Sequence, residues 1–106
     1  MEVITLVAEL NGEIVGFIDA RIEQSPDRMH REMIYCHISE IAVSRMRRNR
    51  GIGGRLLWAA ADWGHRLGAK FASLEYHAAN TRANLFYQER MGYRMASVTV
   101  IKRLDR

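Results

Sequence analysis

Five arginines surround three glycines within residues 45–57 of the chain. Glycine lets backbone amides approach a ligand with no Cβ in the way, and the first N–H groups of a helix have no partner inside it. Aligned peptide dipoles add partial positive charge at a helix start. The stretch therefore predicts a cradle for a phosphate-bearing ligand. A tight turn with a solvated basic rim is the alternative interpretation.

The elements on either side of this stretch would hold it in place. Residues 32–43 form an apolar run typical of a strand, and from Ile52 to Leu67 the apolar residues recur near a helical period, with Gly68 placed to end the helix. Residues 70–77 read as a further strand. This strand–helix–strand order predicts two parallel strands joined by a helical crossover.

The remaining segments predict a short α/β (α+β) fold with a mixed, mostly antiparallel sheet and two main helices. Asn11-Gly12 joins two apolar runs and indicates an antiparallel hairpin. Around Pro26, the only proline, residues 24–31 read as a loop, and residues 80–90 as a second helix ended by Gly92. We also expect residues 93–104 to close the chain with a strand or hairpin.

The composition is that of one globular domain, residues 1–106, with 48% hydrophobic and 26% charged residues. No apolar run reaches the length of a membrane span and no signal-peptide pattern opens the chain, so we expect a cytoplasmic protein without membrane contact. The single cysteine, Cys36, is expected to be a core thiol. A net charge of +4 suits a polyanionic partner, but no interleaved aromatics favour nucleic acid.

Two separated motifs, at residues 48–53 and 80–93, resemble those of one known family, the GNAT superfamily of acyl-CoA-dependent N-acetyltransferases. Residues 48–53, Arg-Asn-Arg-Gly-Ile-Gly, fit the family signature Arg/Gln-x-x-Gly-x-Gly/Ala. Residues 80–93 resemble the family segment Asn-x-x-Ala-x-x-Leu/Phe-Tyr-x-x-x-Gly-Phe/Tyr, with one extra residue between Tyr87 and Gly92. The resemblance extends over essentially the whole chain, but the strand and helices with which family members usually begin are missing before the hairpin.

The resemblance implies a binding site for acetyl-CoA. The loop would hold the pyrophosphate, and the backbone of the preceding strand would pair with the peptide-like pantetheine arm. The N–H near Val43 would face the thioester oxygen. Asn80 would touch the cofactor arm, with a plain helix cap as the equal alternative. The implied cofactor-binding residues are Ile41, Ala42, Val43, Arg48, Asn49, Arg50, Gly51, Ile52, Gly53, Gly54, Asn80 and Tyr87.

Catalysis would need a general acid and a base. Tyr87 resembles the family's general acid, and a core tyrosine is the alternative. Glu40 is the predicted base, with His37 and water as alternatives. Residues 37 and 40 have opposite parity, so in a regular strand only one of them faces the acceptor unless a bulge intervenes. Tyr76 and His77 are candidates to line the same cleft.

The implied function is transfer of an acetyl group from acetyl-CoA to a primary amine by direct attack in a ternary complex. The acceptor, a small molecule or a peptide, is left open, because one fold serves many substrates. A non-catalytic acyl-CoA-binding module and nucleic-acid binding through the arginines are the alternatives. The apolar run at residues 3–8 would lie at a sheet edge, which predicts a homodimer.

Overall fold

The computed structural model describes residues 2–26 and 32–105. The chain divides into two compact units, Met1–Glu75 and Tyr76–Arg106. The first unit contains a four-stranded sheet in the order β1-β2-β3-β4 and one long helix. Its elements are β1 (Val3–Leu10), β2 (Glu13–Pro26), β3 (Glu32–Val43), a 3-10 turn (Arg45–Arg47), α1 (Ile52–Arg66) and β4 (Phe71–Ser73).

The first two strands form the predicted antiparallel hairpin. Asn11 and Gly12 both have positive φ, 52° and 82°, the conformation that a two-residue hairpin turn requires. β2 then pairs antiparallel with β3, and it runs on to Pro26, further than the sequence pattern predicts. Part of the predicted loop, residues 27–31, lies outside the described residues.

The crossover from β3 through α1 to β4 is confirmed as a parallel pairing. β4 is shorter than predicted, because its pairing with β3 covers only Phe71 to Ser73. A strand persists only where a neighbour satisfies its backbone groups. The core lies between α1 and one face of the sheet, and it comprises Val15, Ile18, Ala20, Cys36, Ile38, Leu56, Leu57, Ala60 and Ala69.

Helix α1 packs against Cys36 of the sheet at Gly64, with no room for a side chain. A Cβ built there would lie 2.5 Å from the Cβ and 2.7 Å from the Sγ of Cys36, so only glycine fits. Cys36 is buried, as predicted, and its thiol donates to the Ala60 carbonyl at 3.4 Å. Gly68, with φ 100°, follows the end of the helix as predicted, and its N–H donates to the His65 carbonyl.

The second unit begins with α2 (Thr81–Asn84), which continues as a π-helical turn (Leu85–Arg90) and ends at Gly92, where φ is 76°. The predicted closing strand is wrong. Residues 93–105 contain no strand, and the apolar side chains of Val98, Val100 and Ile101 are exposed. In the described residues of both units, no helix is long and apolar enough to cross a membrane.

Candidate functional site

One edge of β3 is open beyond its short pairing with β4. β4 pairs with β3 only from Tyr35 to His37, and within residues 2–26 and 32–75 no strand pairs with the same edge from Ile38 to Val43. At about 3.3 Å per residue, this stretch is roughly 16 Å long. A 3-10 turn and then the glycine-rich loop follow this stretch and connect it to the start of α1.

The backbone groups on this edge alternate in direction. The Ser44 N–H donates to the Val15 carbonyl at 2.7 Å. Because successive amides of an antiparallel strand point to opposite sides, Val43 and Ile41 direct their amides to the open edge, whereas Ala42 directs its amide toward β2. The Val43 carbonyl accepts a hydrogen bond from Nε of Arg48 at 3.2 Å, which ties the loop back to the strand end.

The loop between β3 and α1 adopts conformations that few side chains tolerate. Asn49 has φ 64° and Gly51 has φ 79°. The first hydrogen bond that belongs to the helix runs from the Arg55 N–H to the Gly51 carbonyl, at 3.1 Å. The amides of Ile52, Gly53 and Gly54 therefore point out of the helix start. No acidic residue lies in this first turn, so nothing there offsets the dipole.

The arginines around the loop carry positive charge and make no ion pair with a carboxylate of residues 2–26 or 32–105. Among the ion pairs of the described residues, none involves an arginine of this group. All are exposed except Arg47, which is half-buried. Their side chains are thus available to an anion that reaches the loop. The group consists of Arg45, Arg47, Arg48, Arg50 and Arg55.

A bulge in β3 determines which way the candidate bases face. Asp19 pairs with Glu40 and the next residue, Ala20, pairs with Ile38, so Ser39 is an extra residue in β3. The extra residue reverses the alternation of side chains between His37 and Glu40.

Both candidate bases therefore lie on the same face. Cys36 contacts α1, which places the neighbouring His37 on the face away from the helix. Because of the bulge, Glu40 lies on that face as well. In a regular strand, residues 37 and 40 would lie on opposite faces. The bulge that the sequence analysis left open as an exception is present, and it puts both residues on one face.

His37 has a hydrogen-bond partner that the sequence did not reveal. Its Nδ1 lies 2.9 Å from Oγ of Ser73 on β4, and both residues are half-buried. The two residues form the last pair of the β3–β4 register. Only the strand register brings them together, so no local sequence signal could have identified Ser73.

In the second unit, Asn80 caps α2. Its Oδ1 accepts the Ala83 N–H at 3.0 Å, which is the helix-cap role that the sequence left open. In residues 76–105, its amide nitrogen has no hydrogen-bond partner. His77 accepts a hydrogen bond from the Ala79 N–H at 3.1 Å, within a turn, and it is exposed.

Tyr87 lies in an aromatic cluster on the π-helical turn. Its ring stacks on the ring of Tyr76, with the ring centroids 5.2 Å apart. The centroids of the Phe86 and Tyr93 rings lie 4.9 and 6.2 Å from that of Tyr87. Burial of the half-buried hydroxyl, and secondarily the neighbouring Tyr76, raise the pKa of Tyr87 above its usual 10.0. Tyr87 is therefore protonated at neutral pH, as a proton donor must be.

Tyr76 is held by two amide side chains. Its hydroxyl donates to Oδ1 of Asn84 at 2.7 Å and accepts from Nε2 of Gln88 at 2.8 Å. Gln88 also donates to Asn84, at 3.2 Å, which closes the network. The network fixes the ring against which Tyr87 stacks.

Comparison with known proteins decides the family. The model of the acetyltransferase (GNAT) family matches residues 2–93. The chain belongs to this family. The sequence resemblance is thereby confirmed, and so is the expected fold.

Two curated relatives of this GNAT chain cover most of it. It is 36% identical over 88 residues to the uncharacterized N-acetyltransferase YhfO of Bacillus subtilis, a match that covers 83% of this chain and 57% of YhfO. It is 30% identical over 98 residues to NAA10 of Arabidopsis thaliana, the catalytic subunit of the N-terminal acetyltransferase A complex, with coverage of 92% and 48%. The chain thus spans about half the length of these curated relatives.

A solved structure shares the GNAT fold. The aminoglycoside N-acetyltransferase AAC(6')-Iy, solved in complex with CoA, matches with a TM-score of 0.81 and 22% identity, over 95% of this chain and 75% of the other. At this identity the likeness concerns the fold.

Proposed function

We propose that this chain is an N-acetyltransferase that binds acetyl-CoA along β3 and at the start of α1, and transfers the acetyl group to a primary amine. The observation that carries the proposal is the open edge of β3, which is followed, after a 3-10 turn, by the glycine-rich loop at the helix start. Family membership and the names of the relatives support the reaction class.

The residues of the loop fit the phosphates of coenzyme A. The amides of Ile52, Gly53 and Gly54 point out of the helix start, no carboxylate lies in the first turn, and the surrounding arginines lack acidic partners among the described residues. A pyrophosphate would receive hydrogen bonds from the amides and compensating charge from the guanidinium groups. The solved complex of AAC(6')-Iy with CoA supports the same ligand for this chain.

The edge of β3 fits the amide-containing arm of the same molecule. The Ile41 and Val43 amides point outward, so they can pair with an extended ligand as a neighbouring strand would. The Val43 N–H would also stabilise negative charge on a thioester oxygen, an effect typically worth about 3–4 kcal/mol. Arg48 already occupies the Val43 carbonyl, so the free group at this residue is a donor.

Bound acetyl-CoA supplies an activated acyl carbon, and the protein supplies binding, orientation and proton transfer. We propose direct attack by the amine in a ternary complex rather than through an acyl-cysteine, because Cys36, the one cysteine of the sequence, is buried and burial raises its pKa. Tyr87 is the proposed general acid, which gives its hydroxyl proton to the departing thiolate. Glu40 is the predicted base, with His37 or water as alternatives.

The proposed acceptor of the acetyl group is a primary amine on a small molecule or a peptide. NAA10 is named as an N-terminal acetyltransferase and AAC(6')-Iy as an aminoglycoside acetyltransferase, so relatives of both kinds exist. The face that carries His37 and Glu40 also carries Asp19, opposite Glu40. These carboxylates favour a cationic acceptor over an anionic one.

We also propose a cytoplasmic homodimer. β1 is an edge strand of the sheet, and Val3 and Val7 on it are 69% and 52% exposed. Such an edge favours pairing with another chain. Light scattering at micromolar concentration tests the proposal: a mass of two chains supports it, and a stable monomer contradicts it.

A thiol-release assay with acetyl-CoA tests the function. The amine panel should contain a peptide with a free N-terminus, a lysine peptide with a blocked N-terminus, an aminoglycoside and a polyamine. Release that depends on one of these amines supports the enzyme. Calorimetric binding of acetyl-CoA without release from any amine favours the non-catalytic module.

The nucleic-acid alternative has a different signature. It predicts an affinity for DNA or RNA that falls steeply with salt, because each phosphate contact releases counterions. It also predicts no competition by coenzyme A at matched ionic strength. Competition at the arginine loop would instead assign the loop to the cofactor.

A further inference from the structure

The hydrogen bonds around Tyr76 have a fixed direction. Nδ2 of Asn84 donates to the Ala78 carbonyl at 3.4 Å, which leaves Oδ1 of Asn84 to face Tyr76. That oxygen can only accept, so the Tyr76 hydroxyl gives its proton to Asn84, at 2.7 Å. The hydroxyl oxygen in turn accepts from Nε2 of Gln88 at 2.8 Å. The proton and a lone pair of the Tyr76 hydroxyl are therefore both engaged inside the network.

Tyr87 differs from Tyr76 in what its hydroxyl contacts. Among the described residues, the Tyr87 hydroxyl makes no hydrogen bond, and other rings hold its side chain. The ring planes of Tyr87 and Tyr76 are inclined by 25°, so the two rings stack, whereas the Tyr93 ring meets Tyr87 at 71°. The hydroxyl of Tyr87 is thus available to a ligand, and that of Tyr76 is already engaged.

The two amide side chains of the network lie on the helical segment that carries Tyr87. Asn84 and Gln88 are four residues apart and meet on one side of this segment, where Gln88 donates to Asn84 at 3.2 Å. Tyr76 lies before the segment begins at Thr81. The network therefore ties a ring from outside the helix to a ring on it. Hydrogen bonds joined in this way polarise and strengthen one another.

We propose that Tyr76 is a positioning residue for Tyr87, held in place by Asn84 and Gln88. The inference rests on the proposed function, in which Tyr87 is the general acid. A phenol ring that is stacked against a fixed neighbour cannot swing freely about its Cα–Cβ bond, so its hydroxyl keeps one direction. Proton transfer needs donor and acceptor within hydrogen-bond reach, and a displacement of about 1 Å can lower a rate about 100-fold.

Tyr76 affects how often the Tyr87 hydroxyl meets the sulfur, and it transfers no proton itself. The amine nitrogen forms the N–C bond with its lone pair as the C–S bond breaks, and the electrons of the C–S bond stay on the sulfur. The sulfur takes the hydroxyl proton of Tyr87, and the proton that the acylated nitrogen loses restores the phenol. The step therefore needs no further reactant.

The first test needs no ligand. NMR of the full chain with ¹³C-labelled tyrosine reports the ring signals of Tyr87, which depend on the orientation of the neighbouring rings. Gln88→Met removes two hydrogen bonds of the network and keeps a side chain of similar length, so we expect these signals to shift. Glu89→Met, at the exposed position beside it, is the matched control and should leave them in place. Identical Tyr87 signals in the wild type and in Gln88→Met overturn the proposal.

The second test is turnover with the best amine of the panel. Tyr76→Phe keeps the ring and removes its hydroxyl from the network, so we expect kcat to fall about 10-fold. Acetyl-CoA affinity by calorimetry should stay unchanged, because the proposed phosphate contacts belong to the glycine-rich loop. Gln88→Met should have the same effect as Tyr76→Phe, because it breaks the same network. Tyr35→Phe and Glu89→Met are the controls and should keep the wild-type kcat.

A double-mutant cycle shows whether Tyr76 acts through Tyr87. In a Tyr87→Phe background no hydroxyl is left to position, so the addition of Tyr76→Phe should lower kcat no further. A further loss of about 10-fold in that background would mean that Tyr76 acts independently of Tyr87, and it would overturn the proposal.

The outcomes separate this inference from the function itself. If the wild type releases thiol and both network variants keep its kcat, Tyr76 has a packing role only and the acetyltransferase proposal stands. If the wild type releases no thiol with any amine, the proposed function fails and the catalytic role of Tyr76 fails with it. The NMR comparison then still reports whether the network holds the Tyr87 ring.

Discussion

The loop region at residues 41–54 and the aromatic region at residues 76–93 present two kinds of candidate site. The loop region offers backbone groups in conformations that glycine and asparagine tolerate, with almost no side-chain contacts. The aromatic region offers side chains held by stacking and by a closed hydrogen-bond network. We therefore expect an added side chain to abolish ligand binding by the loop region. In the aromatic region, we expect removal of a single oxygen atom to lower turnover.

The largest expected effect comes from adding a charged side chain to the loop. Gly51→Glu places a carboxylate beside the amides that would hold a phosphate, so we expect calorimetry to detect no acetyl-CoA binding. Gly12→Glu is the matched control, because both glycines have positive φ and neither would have an atom within 4 Å of an added Cβ. Both variants carry about 1–3 kcal/mol of backbone strain. Equal binding by the two variants would remove the loop from the site.

The second-largest expected effect comes from removal of the hydroxyl oxygen of Tyr87 in the aromatic region. Tyr87→Phe should lower kcat by about 10²-fold or more, as expected for a lost general acid, with little change in acetyl-CoA affinity. Tyr35→Phe, on the sheet, is the control for loss of a tyrosine hydroxyl. Unchanged turnover in Tyr87→Phe would leave the residue with a packing role only.

A third variant tests the packing that supports the loop region. Gly→Ala inside a helix normally stabilises by up to about 1 kcal/mol, but at Gly64 the new Cβ overlaps Cys36. We therefore expect Gly64→Ala to lower the free energy of unfolding by about 1–3 kcal/mol in urea titrations. In a Cys36→Ala background, which removes the Sγ contact, the cost should be smaller. A stabilised Gly64→Ala protein would contradict the close approach of α1 to β3.

The smallest expected effect is a pH dependence of stability from Tyr87. Its pKa in the folded chain is raised by burial and by Tyr76, above the unfolded value of 10.0. Its contribution to stability is therefore complete below pH 10, and it is lost as the pH rises through the folded pKa. The difference in free energy of unfolding between the wild type and Tyr87→Phe should be constant up to about pH 9 and shrink at higher pH. If the same urea titrations give a difference in free energy of unfolding that stays constant up to pH 11, the Tyr87 hydroxyl is exposed to solvent and its pKa is not raised.

Features set by adjacent residues could be predicted from the sequence. The Asn11-Gly12 turn, the helix end at Gly68 and the cap at Asn80 each depend on the conformation or hydrogen bond of a few neighbours, and the structure has all three. The glycine-rich loop belongs to the same group. The positive φ of Asn49 in that loop could have been predicted as well, because asparagine is enriched at positive φ.

Features set by pairing between distant segments could not be predicted. The bulge at Ser39 is a property of the β2–β3 register, and the Ser73 contact is a property of the β3–β4 register. The apolar pattern of residues 93–104 predicted a strand, but a pattern gives a strand only where another strand pairs with it. The face on which the candidate bases His37 and Glu40 lie could therefore be known only from the register.

The π-helical turn at Leu85–Arg90 has a consequence for how this segment tolerates changes in length. The Met91 N–H donates to the Phe86 carbonyl, five residues back, at 3.0 Å, so this turn contains one residue more than an α-helical turn. The family motif is one residue shorter between its tyrosine and its glycine. The extra residue is thus accommodated within one hydrogen-bonded turn. Tyr87 before it stacks on Tyr76, and Gly92 after it has the positive φ that ends the helix.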